Sequence, residues 1–200
     1  MKLYYSPPSP FSRKVRIVAA LLGLDAGLEL IVSDTLNPED LVRLKNPLGK
    51  IPILERDDGV CVYDSAVIAA YLDALVGGGK VIPLEREARF AALTLEALAD
   101  GLTDACILQV YETRLRSENE RSPSWLEHQK GKVSRALASL EAAPPVLGES
   151  IDVGQVALAC ALGYLDLRFA GAWRPDHPRL VAWMEAFAAK TPSFAATAPQ

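Results

Sequence analysis

The sequence predicts a chain of two parts, a small α/β domain followed by an all-helical domain. Strand and helix patterns alternate over residues 1–76, whereas every periodic segment after residue 86 has helical spacing. The stretch "VGGGKVIPLE" separates them, because consecutive glycines and a proline continue neither pattern. We therefore expect a βαβαββα domain over residues 1–76, a linker over residues 77–85 and a helical domain over residues 86–200.

The first part opens with a short strand over residues 2–5 and a turn at "SPPSP", where proline removes strand hydrogen-bond donors. A helix follows, since apolar residues recur at helical spacing, namely Phe11, Val15, Val18 and Leu22. "LELIVSD" is typical of a second strand and "NPEDLVRLKNPLG" of a short irregular helix. These segments form the βαβα half of the domain.

The next segment, "KIPILERDDGVCVYD", has the pattern of two strands joined by a turn at its DDG sequence. Ser65 is then expected to cap a helix that runs from Ala66 to about Val76. A parallel strand pair followed by a hairpin predicts a mixed sheet.

The second part contains four helical segments, which begin at "EREARF", "SWLEHQ", "DVGQVA" and "HPRLVA". The third is apolar on all sides, which is typical of a central core helix. Asp152 and Gln155 have the spacing of a capping box at its start, so we assign them to folding. The tail "FAATAPQ" is expected to fray.

The composition limits the classes of function. The chain has 200 residues, 50% of them hydrophobic, a net charge of −4 and a pI near 5.3, which argues against a nucleic-acid-binding surface. Its cysteines, Cys61, Cys106 and Cys160, lack the spacing of a metal site or a disulfide framework. The apolar run after Arg16 is too short to span a bilayer. We expect a cytoplasmic protein with reduced thiols, no metal and no membrane partner.

Ser9 is the first candidate for chemistry. It lies where a strand ends and a helix begins, just before Pro10, so it is also a plausible helix cap. Backbone amides and the helix dipole favour an anion at this place, and a hydroxyl there can donate a hydrogen bond to a thiolate. Both interpretations need the same geometry.

The second candidate is the peptide between Ile51 and Pro52 in "NPLGKIPIL", which lies at the start of a strand. A cis proline would hold the strand edge open, so that a peptide-like ligand could pair with the Ile51 backbone. A trans proline at a strand start fits these residues equally well.

The third candidate is the pair Asp64 and Ser65 before an apolar helix. Besides capping, Ser65 could hold a ligand carboxylate at the helix N-terminus while Asp64 pairs with an amine. An amino-acid head group carries both charges. The three candidates together match the thiol, the backbone and the head group of one tripeptide, glutathione.

The sequence resembles the glutathione transferase family, specifically its bacterial, serine-type members. "SPPSPFSRKVRIVAALLGL" resembles their first strand-to-helix segment, "NPLGKIPIL" their cis-proline loop and "YDSAVIAAYL" their γ-glutamyl clamp. The C-terminal helices are similar too. The resemblance implies a thioredoxin-like fold for residues 1–76 and a homodimer.

The resemblance also implies roles for individual residues. Ser9 would stabilise the thiolate, Lys50 would contact the glycyl carboxylate, and Ile51 would pair through its backbone beside cis-Pro52. Asp64 and Ser65 would bind the γ-glutamyl end. Asp104 resembles an acidic residue that some classes contribute to the partner's glutathione, and Tyr111 is a candidate for the second-substrate pocket. Ser12 and Tyr5 remain alternatives to Ser9 at the sulfur.

Three functions therefore stand open. The first is glutathione transfer to small, hydrophobic electrophiles, with a detoxification role and glutathione as co-substrate. The second is glutathione-dependent disulfide reduction or deglutathionylation, although residues 6, 9 and 12 are serines where that chemistry usually places a cysteine. The third is a non-catalytic binding or interaction protein of the same fold.

Overall fold

Four short strands form a mixed sheet in the order β2–β1–β3–β4 in the computed structural model, which describes residues 1–199. β1 (Lys2–Tyr5) lies parallel to β2 (Glu29–Val32) and antiparallel to β3 (Ile53–Glu55), which pairs with antiparallel β4 (Cys61–Val62). The predicted mixed sheet is confirmed. The serine- and proline-rich turn follows directly after the carboxyl end of β1.

Three helices accompany the sheet: α1 (Pro10–Leu21), α2 (Val42–Lys45) and α3 (Ser65–Leu75). α1 and α3 pack against each other beside the sheet. Their fully buried apolar side chains share a core with strand residues, and the set includes Leu3, Val15, Ile17, Val18, Leu54, Ile68 and Leu72. The order βαβαββα is as predicted.

The start of α3 differs from the expectation. Asp64, not Ser65, is the N-cap, because its Oδ1 accepts the N–H of Ala66 at 3.2 Å. Ser65 is the first helical residue, and its side chain is buried. Aspartate and serine cap helices about equally well, so the adjacent pair did not fix the boundary.

The segment between the sheet domain and α4 is ordered by one carboxylate. Gly77, Gly78 and Gly79 all have positive φ angles, which glycine adopts readily. The buried Asp73 side chain accepts the N–H groups of Gly79, Lys80 and Val81 at 2.9–3.0 Å. The chain therefore enters the helical domain along a defined path.

In the described part of the C-terminal domain there are five helices: α4 (Arg86–Arg114), α5 (Pro123–Ala142), α6 (Val153–Phe169), α7 (Pro178–Lys190) and α8 (Pro192–Ala196). α6 is buried over Val153–Leu165, as its apolar pattern predicts. The capping box at its start is confirmed by reciprocal bonds between Asp152 and Gln155 at 2.9 and 3.1 Å. Within residues 1–199 the helices include none with the length and hydropathy needed to cross a bilayer.

α4 and α6 pack along each other and run in the same direction. Gly154, at the start of α6, allows the close approach, since a Cβ there would collide with the Ala92 carbonyl of α4. Farther along, Tyr164 of α6 lies close to Cys106 and Tyr111 of α4, and the two tyrosines line the same cleft. The two helices thus end at the same side of the molecule.

The prediction of a frayed C-terminal tail is wrong for its helical part, residues 194–196, and its last residue, Gln200, lies outside the described residues. α8 places Phe194 in the core, with only 7% of its surface exposed. Its ring meets Phe187 edge-on at 5.5 Å between centroids, and the Arg13 guanidinium stacks on it at 4.0 Å. The tail sequence alone did not reveal this packing, because the partners lie in α7 and α1.

A buried ion cluster joins the two domains. Lys14 of α1, whose side chain is 1% exposed, bonds to Glu96 at 2.9 Å and to Asp100 at 2.7 Å, both in α4. Burial lowers the pKa of Lys14, but the two carboxylates outweigh burial and raise that pKa above 10.5. The cluster fixes α1, and hence its N-terminus, against α4.

Candidate functional site

A cleft of about 700 Å³ lies between the sheet domain and the helical domain. Three loops of the sheet domain form one wall: the turn after β1, the segment after β2 and the segment before β3. α4 and α6 form the other. Its polar lining residues include Ser6, Ser9, Asp34, Lys50, Asp104, Tyr111, Arg114, Tyr164 and Arg168.

Ser9 occupies the N-cap of α1 and opens onto this cleft. Its Oγ accepts the N–H of Ser12 at 3.2 Å, so the hydroxyl proton is available to another acceptor. Pro10 follows at the first helical position, where no N–H is needed. The site can therefore offer a hydroxyl donor and a helix N-terminus to one anion.

The alternatives to Ser9 lie elsewhere. Ser12 is fully buried, and its Oγ has no hydrogen-bond partner among residues 1–199. Tyr5 does not line the cleft, and the Arg16 guanidinium lies 5.3 Å from its ring. Ser6 lines the cleft beside Ser9. Of the three residues considered for the sulfur, only Ser9 reaches the cleft.

Arg13, four residues after Ser9, is bound to the C-terminal segment. Its guanidinium donates to the Phe194 carbonyl at 2.5 Å and to Thr197 Oγ1 at 3.4 Å. It does not line the cleft. The electrostatic support at Ser9 comes from the helix N-terminus instead.

Lys50 and Ile51 line the cleft opposite α4, and Pro52 lies buried behind them. The Ile51–Pro52 peptide bond is cis, as one of the two sequence interpretations expected. Within residues 1–199, neither the N–H nor the C=O of Ile51 has a hydrogen-bond partner. This backbone edge is free to pair with a ligand.

Asn46 positions this loop, and sequence reasoning missed it. The side chain is 2% exposed; its amide donates to the Lys50 carbonyl at 3.0 Å, and its Oδ1 accepts the Leu48 N–H at 3.0 Å. An Asn-Pro pair in a loop is a signal of such a turn. The bonds hold Lys50 and Ile51 toward the cleft.

Asp64 and Ser65 do not form part of the cleft wall. Asp64 is exposed at the N-terminus of α3, and Ser65 lies beneath it with 3% of its surface exposed. The charge of Asp64 nevertheless acts on Asp104, which lines the cleft. The proposed head-group clamp therefore lies outside the cleft lining, close enough to Asp104 for the charge of Asp64 to act on it.

Asp104 lies in α4 and lines the cleft of its own chain. Partial burial raises the pKa of its carboxyl above 3.8, Lys50 opposes that rise, and Asp64 adds to it. The three charged groups thus influence one another across the domain boundary. The arrangement suits a ligand that carries both charges.

The helical wall of the cleft combines apolar, aromatic and charged side chains. Tyr111, expected at a second-substrate pocket, lines it together with Ile107 and Leu108. Sequence reasoning missed Arg114 and Arg168, which also line the wall. The signal was the helical spacing of Asp104, Tyr111 and Arg114, which lie on one face of α4.

The cysteines lie outside the cleft lining of the described chain. Burial raises the pKa of Cys106 and of Cys160 to about 12, so both are thiols at neutral pH. Cys61 is half-buried on β4. Within residues 1–199, no group of three or more His, Cys, Asp or Glu side chains is arranged to hold a metal ion.

The fold and cleft define a class of protein: a thioredoxin-like domain joined to a helical domain, with an anion-favouring helix N-terminus at their boundary. Two family models match the chain, "Glutathione S-transferase, N-terminal domain" over residues 8–75 and "Glutathione S-transferase, C-terminal domain" over residues 123–186.

Relatives of known sequence and solved structure are similar to this chain over nearly its full length. An uncharacterised GST-like protein, YibF of Escherichia coli K12, is 34% identical, with 100% of this chain and 98% of YibF covered. A glutathione transferase family member from Pseudomonas fluorescens Pf-5, with bound glutathione, is 40% identical at a TM-score of 0.91, covering 100% and 98% of the two chains. A structure from that organism with bound S-(propanoic acid)-glutathione gives 41% identity and a TM-score of 0.87, with both chains fully covered. The chain belongs to the glutathione S-transferase family.

Proposed function

We propose that the protein is a glutathione transferase that joins the glutathione thiolate to a small electrophile. The observation that carries this proposal is the Ser9 hydroxyl, which opens onto the interdomain cleft at the N-terminus of α1. Serine does not ionise near neutral pH, so its role is donation to the thiolate and not proton removal.

The rest of the tripeptide has a partner for each of its parts. Lys50 suits the glycyl carboxylate, and the unpaired Ile51 backbone suits the cysteinyl residue. Asp64 and Ser65 suit the γ-glutamyl end, and Asp104 adds a carboxylate that can face its ammonium group. A Pseudomonas fluorescens relative holds bound glutathione, which supports glutathione as the ligand.

The chemistry is nucleophilic attack by sulfur. A carbon–sulfur bond forms, and the leaving group departs with the electron pair of the bond that breaks. The enzyme contributes thiolate stabilisation and orientation. The S-(propanoic acid)-glutathione held by a relative is a glutathione with a substituent on sulfur, which supports conjugation.

The geometry gives less support to disulfide reduction. A protein thiol as nucleophile would need to reach the cleft as thiolate, whereas burial holds the pKa of Cys106 and Cys160 near 12. Reduction of a mixed disulfide by a second glutathione requires no protein thiol. A pure binding protein would need no hydroxyl at the sulfur.

We extend the proposal to a cytoplasmic homodimer with a role in detoxification. Three free cysteines suit a reducing compartment. Large apolar side chains exposed on α3 and α4, among them Val67, Phe90 and Leu98, suit a subunit contact. Light scattering coupled to size-exclusion chromatography measures the subunit number, and a monomer would contradict the dimer.

Glutathione binding and turnover test the function. Calorimetry is expected to show glutathione binding, and 1-chloro-2,4-dinitrobenzene is expected to be conjugated faster than without enzyme.

Ser65→Ala should weaken glutathione affinity about fivefold, since it removes about 1 kcal/mol of hydrogen bonding at the remote end of the ligand. Ser139→Ala, an exposed serine of α5, is the control. Unchanged affinity in Ser65→Ala would refute the clamp, and binding without conjugation would refute the transferase.

A further inference from the structure

Two arginines line the helical wall of the cleft near its apolar part. Arg114 lies in the last turn of α4 and Arg168 in the last turn of α6. Both are exposed, and within residues 1–199 neither forms an ion pair. The wall therefore carries two cations whose charge is available to a ligand.

Each arginine follows a tyrosine on the same helix face. Arg114 is three residues beyond Tyr111 and Arg168 four beyond Tyr164, which is about 4.5 and 6 Å along the helix axes. The Arg168 guanidinium lies 5.4 Å from the Tyr164 ring. Since α4 and α6 run in the same direction, the tyrosines lie side by side and the arginines extend beyond them.

The other charges of the cleft do not neutralise this pair. Asp104 is coupled to Lys50, which suits the glycyl carboxylate of glutathione. The Asp34 carboxylate accepts the Leu36 N–H at 2.9 Å in the loop after β2. The lining thus holds three cations (Lys50, Arg114, Arg168) and two carboxylates (Asp34, Asp104) in a chain whose net charge is −4.

We infer that the second substrate is an anion: an electrophile whose flat or apolar body packs on Tyr111 and Tyr164 and whose carboxylate pairs with Arg114 and Arg168. The inference rests on the transferase function proposed above. Guanidinium groups bind carboxylates through paired, charge-assisted hydrogen bonds, and tyrosine rings bind a planar body.

An alternative role for the two arginines is to stabilise the ends of their helices. A cation in the last turn of a helix interacts favourably with the helix dipole. That role affects stability alone. It predicts no discrimination between a charged and a neutral substrate.

A matched pair of electrophiles tests the inference: 4-chloro-3,5-dinitrobenzoate and its neutral methyl ester. In both, the glutathione sulfur bonds to the chlorine-bearing carbon and chloride leaves with the carbon–chlorine electron pair. Each kcat/KM is divided by the uncatalysed rate constant to remove intrinsic reactivity. We expect the carboxylate to be favoured about tenfold, and less at high salt because the arginines are exposed.

The variants identify the residues. Arg114→Gln and Arg168→Gln should each lower kcat/KM for the carboxylate about tenfold and leave the ester within twofold. Arg116→Gln is the control, since Arg116 lies just beyond α4, pairs with Glu112 at 3.2 Å and does not line the cleft. Equal losses for both electrophiles, or the same loss in Arg116→Gln, would overturn the inference.

Product binding separates this inference from the transferase function. Calorimetry compares the glutathione conjugates of the acid and of its methyl ester, which needs no turnover. About tenfold tighter binding of the acid conjugate, lost in Arg114→Gln and Arg168→Gln, supports an anionic second substrate even if no conjugation occurs. Equal binding refutes it, even if both electrophiles are conjugated.

Discussion

The Asp104 carboxyl links the electrostatics of the cleft to the pH dependence of folding stability. Its carboxyl has a raised pKa in the folded protein, chiefly through burial. The folded state therefore holds this proton more tightly than the unfolded chain, whose ordinary value is 3.8. The resulting stabilisation is complete below pH 3.8 and is lost as the pH rises through the folded value.

Asp104→Asn places an uncharged amide at this position, so the loss of stability on deprotonation no longer occurs. We expect the ligand-free variant to exceed the wild-type protein in Tm at neutral pH, and the difference to shrink toward about pH 4. Glutathione should bind the variant more weakly, because the amide no longer attracts an ammonium group. Thermal unfolding across this range measures the first effect and calorimetry the second. A Tm difference that grows toward acid would contradict the assigned pKa direction.

Sequence reasoning located Ser9 and Ile51 because their signals are local. Ser9 lies at a strand-to-helix junction before a proline, and Ile51 precedes a proline at a strand start. Sequence reasoning missed Arg114 and Arg168, since their place in the cleft lining depends on which faces of α4 and α6 meet the cleft. That depends on long-range packing, here set by contacts such as Gly154 against Ala92.

At the scale of elements, α8 also depends on long-range packing that the local sequence does not reveal. Its five residues form too short a helix to be stable alone, so packing and not propensity orders it. Phe194 supplies that packing through the aromatic ring of Phe187 and the guanidinium of Arg13. The order of the strands and longer helices, by contrast, followed from hydrophobic periodicity within each segment.

Phe194→Ala should lower the free energy of unfolding by about 3 kcal/mol, as expected for removing a buried aromatic side chain. Urea denaturation measures the change. Phe90→Ala is the matched control, since Phe90 is 60% exposed on α4 and its truncation should change the stability little. Equal effects of the two substitutions would show that α8 does not depend on Phe194.

At the scale of the molecule, the buried ion cluster links the two domains. Lys14 of the sheet domain has both of its carboxylate partners, Glu96 and Asp100, on one helix of the other domain. Neutralising this lysine leaves the buried Glu96 and the partly buried Asp100 without their cation.

Lys14→Met should therefore destabilise the protein by about 3–5 kcal/mol, the usual range for breaking a buried ion pair from one side. Adding Glu96→Gln to this variant should recover part of the loss. The control is Arg86→Met, which removes the exposed pair with Glu87 and should leave the unfolding midpoint unchanged. A Lys14→Met protein as stable as the wild type would contradict a linking role for the cluster.

Ser9→Ala tests most directly whether Ser9 stabilises the thiolate. The thiolate absorbance of the glutathione complex, titrated against pH, gives the pKa of the bound thiol. We expect the substitution to raise it by about one to two units, equivalent to about 1.4–2.7 kcal/mol of lost preference for the thiolate. Ser122→Ala controls for the lost cap, because Ser122 caps α5 before Pro123 in the same way and does not line the cleft. That variant should titrate like the wild type, whereas coincident curves for Ser9→Ala and wild type would contradict the account.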